Sequence, residues 1–493
     1  MSEKHIRIFI AAMLLLVFLA PACKRGGHPV TEKFKIISEV KTDKDSPFFI
    51  DTKKYPSKRN SLPIGIFDSG TGGLTVLNSI LELDKFNNKT HEQGPDSLPD
   101  FEAERFIYLA DEANMPYGKY NAEGKADFLR ELVIKDVRFL LGNDYYEAPA
   151  DSMPKSDKAP VKAIVIACNT ATAYGLETVR GAVDSWGLNI PILGIIDAGA
   201  KSALLKLKPG EENNAVIGVL ATEGTCASGG YPASIKNYAK QNFPGNHIHI
   251  AQQAGIGLAG AIDGDLNYID PAANTARSDE DYKGPGLNHP QFPIDTSLWA
   301  EYNFEGGNGL LIEKNDKGGL VKVQLNSVGN YIKYCTTHLV VKIVEESPGR
   351  VLNSIILGCT HYPFFEDEIR SHLMFLKQLD EKYDKIIPGG ISFIDPAQSL
   401  AYSLYNCLAK DSLWGADDNV NSEFFISVPN PRLASNEIDA NGEFPYEYKY
   451  GRAINSSNQF VRIVPFSDKW VSKSIKARIK QDIPTAYQVI YKN

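Results

Sequence analysis

The chain has 493 residues, with 52 Lys+Arg against 60 Asp+Glu and a formal net charge of −8. That mild acidity, without a block of like charges, leaves no electrostatic footprint for nucleic acid. At 43% apolar and 23% charged residues the composition is that of a globular protein, and the length predicts two domains of about 100–200 residues each. The six cysteines, at 23, 168, 226, 335, 359 and 407, are too few for a disulfide scaffold, and with no CxxC pair they are too scattered for zinc.

The chain opens with Lys4, His5 and Arg7, an apolar run from Ile8 to Ala20, and the small residues before Cys23. A positive start, a short apolar run and small residues at a cut site predict a signal peptide over 1–22. The run is shorter than the roughly 20 residues needed to span a bilayer as a helix. Its ending, Leu19-Ala20-Pro21-Ala22-Cys23, resembles the lipobox of bacterial lipoproteins. The resemblance implies that Cys23 is the lipidated first residue of the mature chain. Residues 23–60 are rich in Lys, Asp, Ser and Pro without sustained periodicity and read as a tether.

From Pro63 onward, apolar runs alternate with amphipathic stretches. Pro63 to Phe67, Arg105 to Ala110, Val161 to Ala167, Ile190 to Gly194, Ala215 to Leu220, His247 to Ala251 and Ser354 to Gly358 read as buried strands. Between them, Leu74, Leu77 and Ile80 recur at helical spacing, as do Leu129, Leu132 and Val137. Strands alternating with helices predict an α/β fold with mainly parallel sheets, in which functional groups collect where strands end and helices begin. Residues 85–104, 143–160 and about 264–327 break the rhythm and read as insertions; the last holds a hairpin pattern at Leu310 to Lys314 and Leu320 to Leu325. The stretch after about residue 400 is aromatic and loop-rich, with no function legible in it.

Three strand ends carry chemistry. The first reads Asp68-Ser69-Gly70-Thr71-Gly72-Gly73, a glycine-rich turn at a helix N-terminus where free N–H groups favour an anion. No Gly-Lys-Ser/Thr follows, so it is not a phosphate loop. The other two are Cys168-Asn169-Thr170 and Cys359-Thr360-His361, each with a cysteine at the end of an apolar strand. A single buried cysteine is ordinarily a small hydrophobe. Two at equivalent strand ends, with Asp68 and His361 as proton partners, suit the inversion of a stereocentre, which requires a base on each face of one carbon. An ordinary thiol, with a pKa near 8.5, needs activation, and helix N-termini or a neighbouring charged histidine are expected to lower its pKa. These segments supply too few ligands for a metal and show no cofactor-binding signature.

Taken together, Asp68-Ser69-Gly70, Pro116-Tyr117-Gly118 after Asp111, Cys168-Asn169-Thr170, Thr222-Glu223-Gly224-Thr225 with Ser228 and Tyr231, and Gly358-Cys359-Thr360-His361-Tyr362-Pro363 resemble glutamate racemase, of the cofactor-independent aspartate/glutamate racemase superfamily. The likeness covers roughly 61–263 and 350–400. It implies two similar α/β domains, at 61–198 and 199–390, with a return segment and extension at 391–493 and glutamate in the cleft between the domains. It further implies that Cys168 acts on D-glutamate and Cys359 on L-glutamate, that Asp68 and His361 assist them, and that Ser69, Tyr117, Gly118, Asn169, Thr170, Thr222, Thr225 and Thr360 position the substrate. Two departures stand out. The family's glutamate after the sixth strand aligns with Ile262, one residue from Asp263, and Asp197-Ala198-Gly199 replaces the more usual Glu-Pro-Gly.

The expected protein is thus a cofactor-free glutamate racemase tied to D-glutamate and cell-wall metabolism, lipid-anchored in a bacterial envelope, or cytoplasmic if the leader is not processed. Its partners are glutamate and a membrane, with a homodimer as an option and no nucleic acid. The rivals are an amino-acid-binding lipoprotein that lost turnover and a racemase for another acidic amino acid such as aspartate. His247 with His249, and Cys335 with His338, share faces at metal-compatible spacing, but solvated or core positions are the plainer reading.

Overall fold

The computed structural model describes residues 33–491 apart from 209, 246, 416–420, 435 and 457–458. The signal peptide and Cys23 lie outside the described residues. No helix among those described is long and apolar enough to cross a membrane.

The segment read as a tether is instead part of the core from residue 33 onward. Helix α1 (Lys35–Thr42) buries Ile36, Ile37 and Val40 on one face and packs with Phe34 and Ile50 into the first domain. The Trp186 indole donates to the Ile37 carbonyl at 2.8 Å, and Arg138 donates to the carbonyls of Phe48 and Phe49. Three apolar residues among lysines and glutamates are too short a stripe for periodicity to reveal, yet they suffice when a neighbouring surface is there to cover them.

The first domain is a six-stranded sheet in the order β12-β11-β2-β1-β3-β4, with β1 (Ile64–Asp68), β2 (Phe106–Ala110), β3 (Ala163–Ile166) and β4 (Ile192–Gly194) running parallel. Side chains alternate between the two faces: Ile64, Ile66, Phe106, Tyr108, Ala163 and Val165 join one apolar cluster, while Phe67, Ile107, Leu109, Ile164 and Ile166 join the other. Both faces are therefore dry, which explains the continuous apolar runs in the sequence. Helices α2 (Leu74–Leu81), α3 (Ala126–Leu141), α4 (Asn169–Trp186) and α5 (Ile195–Leu205) make the crossovers. At the strand starts, Lys162 and Glu104 form a wholly buried ion pair at 2.6 Å.

The second domain is a parallel four-stranded sheet in the order β10-β9-β5-β6, built from β5 (Ala215–Ala221), β6 (His249–Ala254), β9 (Val351–Gly358) and β10 (Ser392–Ile394). Short helices α6 (Glu223–Ser228) and α7 (Leu258–Ile262) follow β5 and β6, and the long α8 (Val328–Glu346) and α9 (Glu366–Leu379) flank β9. The insertion after α7 contains the antiparallel hairpin β7 (Leu310–Lys314) and β8 (Leu320–Leu325) at the expected positions. It packs Tyr302, Leu311, Val323 and Leu325 into the core beside Tyr331 and Leu339 of α8.

The return to the first domain begins after β10, slightly later than residue 391. Helix α10 (Pro396–Lys410) lies on α5 and α2. The aromatic tail then supplies β11 (Glu423–Pro429), parallel to β2, and β12 (Val461–Pro465), antiparallel to β11. Two final helices, α11 (Lys473–Asp482) and α12 (Pro484–Tyr491), follow, with α12 against α2. One apolar cluster runs from β1 through α5 to Ile217 and Val219 of β5 and Ile356 of β9, so the two sheets share packing beneath the cleft.

Candidate active site

All three chemistry-bearing motifs sit at the carboxyl ends of central parallel strands, the place where loops of an α/β sheet converge. Asp68 ends β1. Its carboxylate accepts from the Gly73 N–H at 2.9 Å and the Gly70 N–H at 3.2 Å, wrapping the glycine turn around itself. A Cβ on Gly73 would lie 2.5 Å from that of Asp68, so only glycine allows the wrap. Burial raises the Asp68 pKa against these donors.

Cys168 is the N-cap of α4, its sulfur accepting from the Ala171 N–H at 3.4 Å. The Ser69 hydroxyl is 3.6 Å from that sulfur, and the thiol hydrogen-bonds Asp68. Cys359 follows β9, where the backbone N–H groups of His361 and Tyr362 and the Thr360 side chain favour its thiolate. Both thiols are nearly covered, at 7% and 8% exposure, and both are free. Sequence reasoning expects the N–H groups to lower their pKa values. Burial outweighs them, and the nearby Asp68 and Asp263 charges add to the effect, so each thiol is pushed up to about 12. The physical reason is that a thiolate loses more from desolvation than a few N–H dipoles return.

The two domains meet across these ends. Asn169 donates to the Gly358 carbonyl at 3.4 Å, and Tyr231 donates to the Asn169 side chain at 3.0 Å. A Cβ on Gly72 would touch both Asp68 Oδ2 and Thr360 Oγ1. Gly118 approaches Gly224 so closely that a Cβ on either would contact the other's Cα. Thr222 caps α6 and donates its hydroxyl to that of buried Thr225 at 2.9 Å. Thr170, in the first turn of α4, is also buried. Tyr117 does not offer its hydroxyl to the cleft: the group sits between the carboxylates of Asp111 and Asp136 in the first domain's interior. Three polar atoms share two protons at most there when Asp136 is protonated, and burial beside Asp111 raises the Asp136 pKa accordingly.

A cavity of about 340 Å³ opens beside the Asp68 turn and His361, lined by Asp68, Ser69, Glu112, Asp263, His361 and Arg478 among others; neither cysteine is among its lining residues. Three of these were missed in the sequence reading or left at its margin. Ile262 packs into the second domain, and it is Asp263 that turns to the site, with Oδ1 at 3.5 Å from His361 Nδ1. Arg478 arrives from α11, with Nη1 at 2.6 Å from Asp263 and Nη2 at 2.9 Å from His361 Nε2. Glu112 follows β2, and burial together with Asp68 and Asp111 pushes it up to about 7. The Asp263 signal was its position one residue beyond the aligned glutamate; Arg478 had none.

The remaining histidine and cysteine pairs are structural. His338 bonds the Tyr302 hydroxyl at 2.9 Å and Cys335 is wholly buried, while His249 lies beside Ser347. Among the described residues no group of three or more His, Cys, Asp or Glu is arranged to hold a metal ion.

Residues 146–279 match the family model of Asp/Glu/hydantoin racemases. The chain is 35% identical over 178 residues to a glutamate racemase of Limosilactobacillus fermentum, covering 36% of this chain and 48% of that one. It thus spans about half the length of that curated relative. It is 26% identical over 353 residues to a glutamate racemase of Pseudomonas syringae pv. tomato, covering 71% of this chain and 80% of that one. A crystal structure of a glutamate racemase from Bacillus anthracis superposes with a TM-score of 0.42 at 21% identity, covering 75% of this chain and 89% of that one.

Proposed function

We propose that the protein is a glutamate racemase that interconverts the L and D enantiomers by a two-base, two-cysteine mechanism without a cofactor. The observation that carries the reading is the paired placement of Cys168 and Cys359 at strand ends of two sheets, with Asp68 and His361 from the same two motifs lining one cavity. From D-glutamate, the Cys168 thiolate takes the Cα proton and the Cys359 thiol gives a proton to the opposite face; Cys168 ends as thiol and Cys359 as thiolate. The L enantiomer runs the same steps in reverse. Asp68 accepts the proton that Cys168 must shed beforehand, and the loop carrying His361 steadies Cys359 through its N–H.

The raised thiol pKa values fit a substrate-assisted start. An amino acid brings an ammonium group next to buried Asp68 and the thiols, and that positive charge favours the thiolate it is about to need. Thr222, Thr225, Asn169 and Thr360 offer hydroxyl and amide groups of the kind that hold carboxylates and a developing carbanion. In a cell, the reading connects the protein to D-glutamate for peptidoglycan, and the leader assigns it to the envelope, anchored through a lipid on Cys23. Mass spectrometry of the mature N-terminus tests the anchor; an uncleaved, unmodified Cys23 removes it.

The test of the activity is incubation of the full chain, under reducing conditions, with each glutamate and aspartate enantiomer in D₂O. Racemisation of glutamate with deuterium at Cα, lost in Cys168→Ala and in Cys359→Ala, is the expected result. Faster turnover of aspartate would move the substrate assignment. Binding without exchange would replace the enzyme with an amino-acid-binding protein.

A further inference from the structure

The ring of His361 is held by groups from two distant parts of the chain. Asp263, just past α7, faces Nδ1 at 3.5 Å, and Arg478 of α11 lies 2.9 Å from Nε2. A guanidinium has donors only, so the short contact forces Nε2 to be the acceptor and leaves the ring proton on Nδ1, toward the Asp263 carboxylate. Arg478 also pairs with Asp263 at 2.6 Å, which closes a three-membered network. The other charged or titratable groups around the ring are Asp482 on α11, and Asp68 and Glu112 from the first domain, which line the same cavity.

We propose that Arg478 is a positioning residue for the Cys359 half of the site: from α11 it fixes His361 as the neutral Nδ1–H tautomer and thereby sets the loop that carries Cys359. The inference rests on the racemase reading for its catalytic consequence, though the coupling itself does not. A protonated His361 has no lone pair at Nε2, so protonation must break the Arg478 contact and bring two cations together. Burial and Arg478 lower the His361 pKa while Asp263 and Asp482 raise it. Removing the guanidinium therefore lets the ring charge at a higher pH than in the native protein. Because protonation breaks the Arg478 contact that sets the loop carrying Cys359, the acid limb of the rate profile moves the same way.

The test uses the full chain as native protein, Arg478→Gln and Arg478→Lys. The His361 ring is followed by ¹⁵N NMR across pH, and kcat/KM for glutamate is measured over the same range. The expected result for R478Q is a His361 midpoint at higher pH, Nε2–H tautomer appearing above it, and an acid limb displaced in parallel, so that activity near pH 6 falls about tenfold relative to the variant's own alkaline plateau. R478K keeps a cation in place and returns the midpoint and limb toward native values. If R478Q leaves midpoint, tautomer and limb unchanged in a protein that racemises glutamate, the proposal is overturned. If the native protein exchanges no Cα proton, it is the racemase reading that fails, and the NMR midpoint alone still decides whether Arg478 governs His361.

Discussion

The two halves of the cleft are built on different plans. The Cys168 half is local: Asp68, Ser69 and Cys168 come from the ends of adjacent strands β1 and β3, and the carboxylate is fixed by N–H groups two and five residues along its own turn. The Cys359 half is borrowed: its thiol is steadied by backbone next door, but the ring of His361 is governed by Asp263 and by Arg478, which lies 117 residues further along the chain. One half is therefore set by the sheet and the other by how a late helix docks. A change in α11 reaches the Cys359 half through a direct contact with His361, whereas it meets the Asp68 turn only across the shared cavity.

The largest effects test whether both halves are needed. Cys168→Ala and Cys359→Ala should each lower glutamate racemisation by about 10⁴-fold, the upper range for a lost acid–base group, as read by circular dichroism of the substrate. If one variant kept native turnover, the paired scheme would collapse to a single base. Asp68→Asn should cost about 10²–10³-fold in kcat, since no other carboxylate touches the Cys168 thiol. Asp263→Asn should cost less, roughly tenfold, because Arg478 still holds the His361 ring; a loss as deep as that of Asp68→Asn would show the two halves to be alike after all.

Two further expectations carry smaller effects. With both thiols pushed up to about 12 by burial, alkylation by iodoacetamide should rise about tenfold per pH unit from pH 7 to 10 at Cys168 and Cys359 alike, followed by mass spectrometry of each peptide. The sign follows from the thiolate being the reactive form: below the raised pKa its fraction grows with pH. At the opposite end of the strands, Lys162→Met should leave kcat/KM near native once folded. It strands Glu104 in the core, so urea unfolding should report a loss of about 3–5 kcal/mol.

The same division decides what can be read from the sequence. The strands of both sheets were legible because each is dry on both faces and so appears as an unbroken apolar run, and the hairpin at 310–325 was legible from its turn. Asp68, Cys168 and Cys359 were legible because strand ends advertise themselves. Helix α1 was not, since Ile36, Ile37 and Val40 gain their meaning from α3 and α4 rather than from their own spacing. Strand β11, Glu423–Pro429, was hidden by aromatic neighbours that look like loop. The activation of the thiols was misjudged because burial, the dominant influence on both, belongs to no motif. Arg478 stands in an unremarkable amphipathic helix, and only docking gives it a purpose.

The place of α11 in the chain has a consequence for biosynthesis. A ribosome delivers the first domain's sheet core, Cys168, Cys359 and Asp263 well before it delivers Arg478, and nascent domains fold as they emerge. Until then the cavity lacks one wall and His361 is without its Arg478 restraint. A nonsense mutation in the final stretch would therefore leave both cysteines in place but His361 without its Arg478 contact.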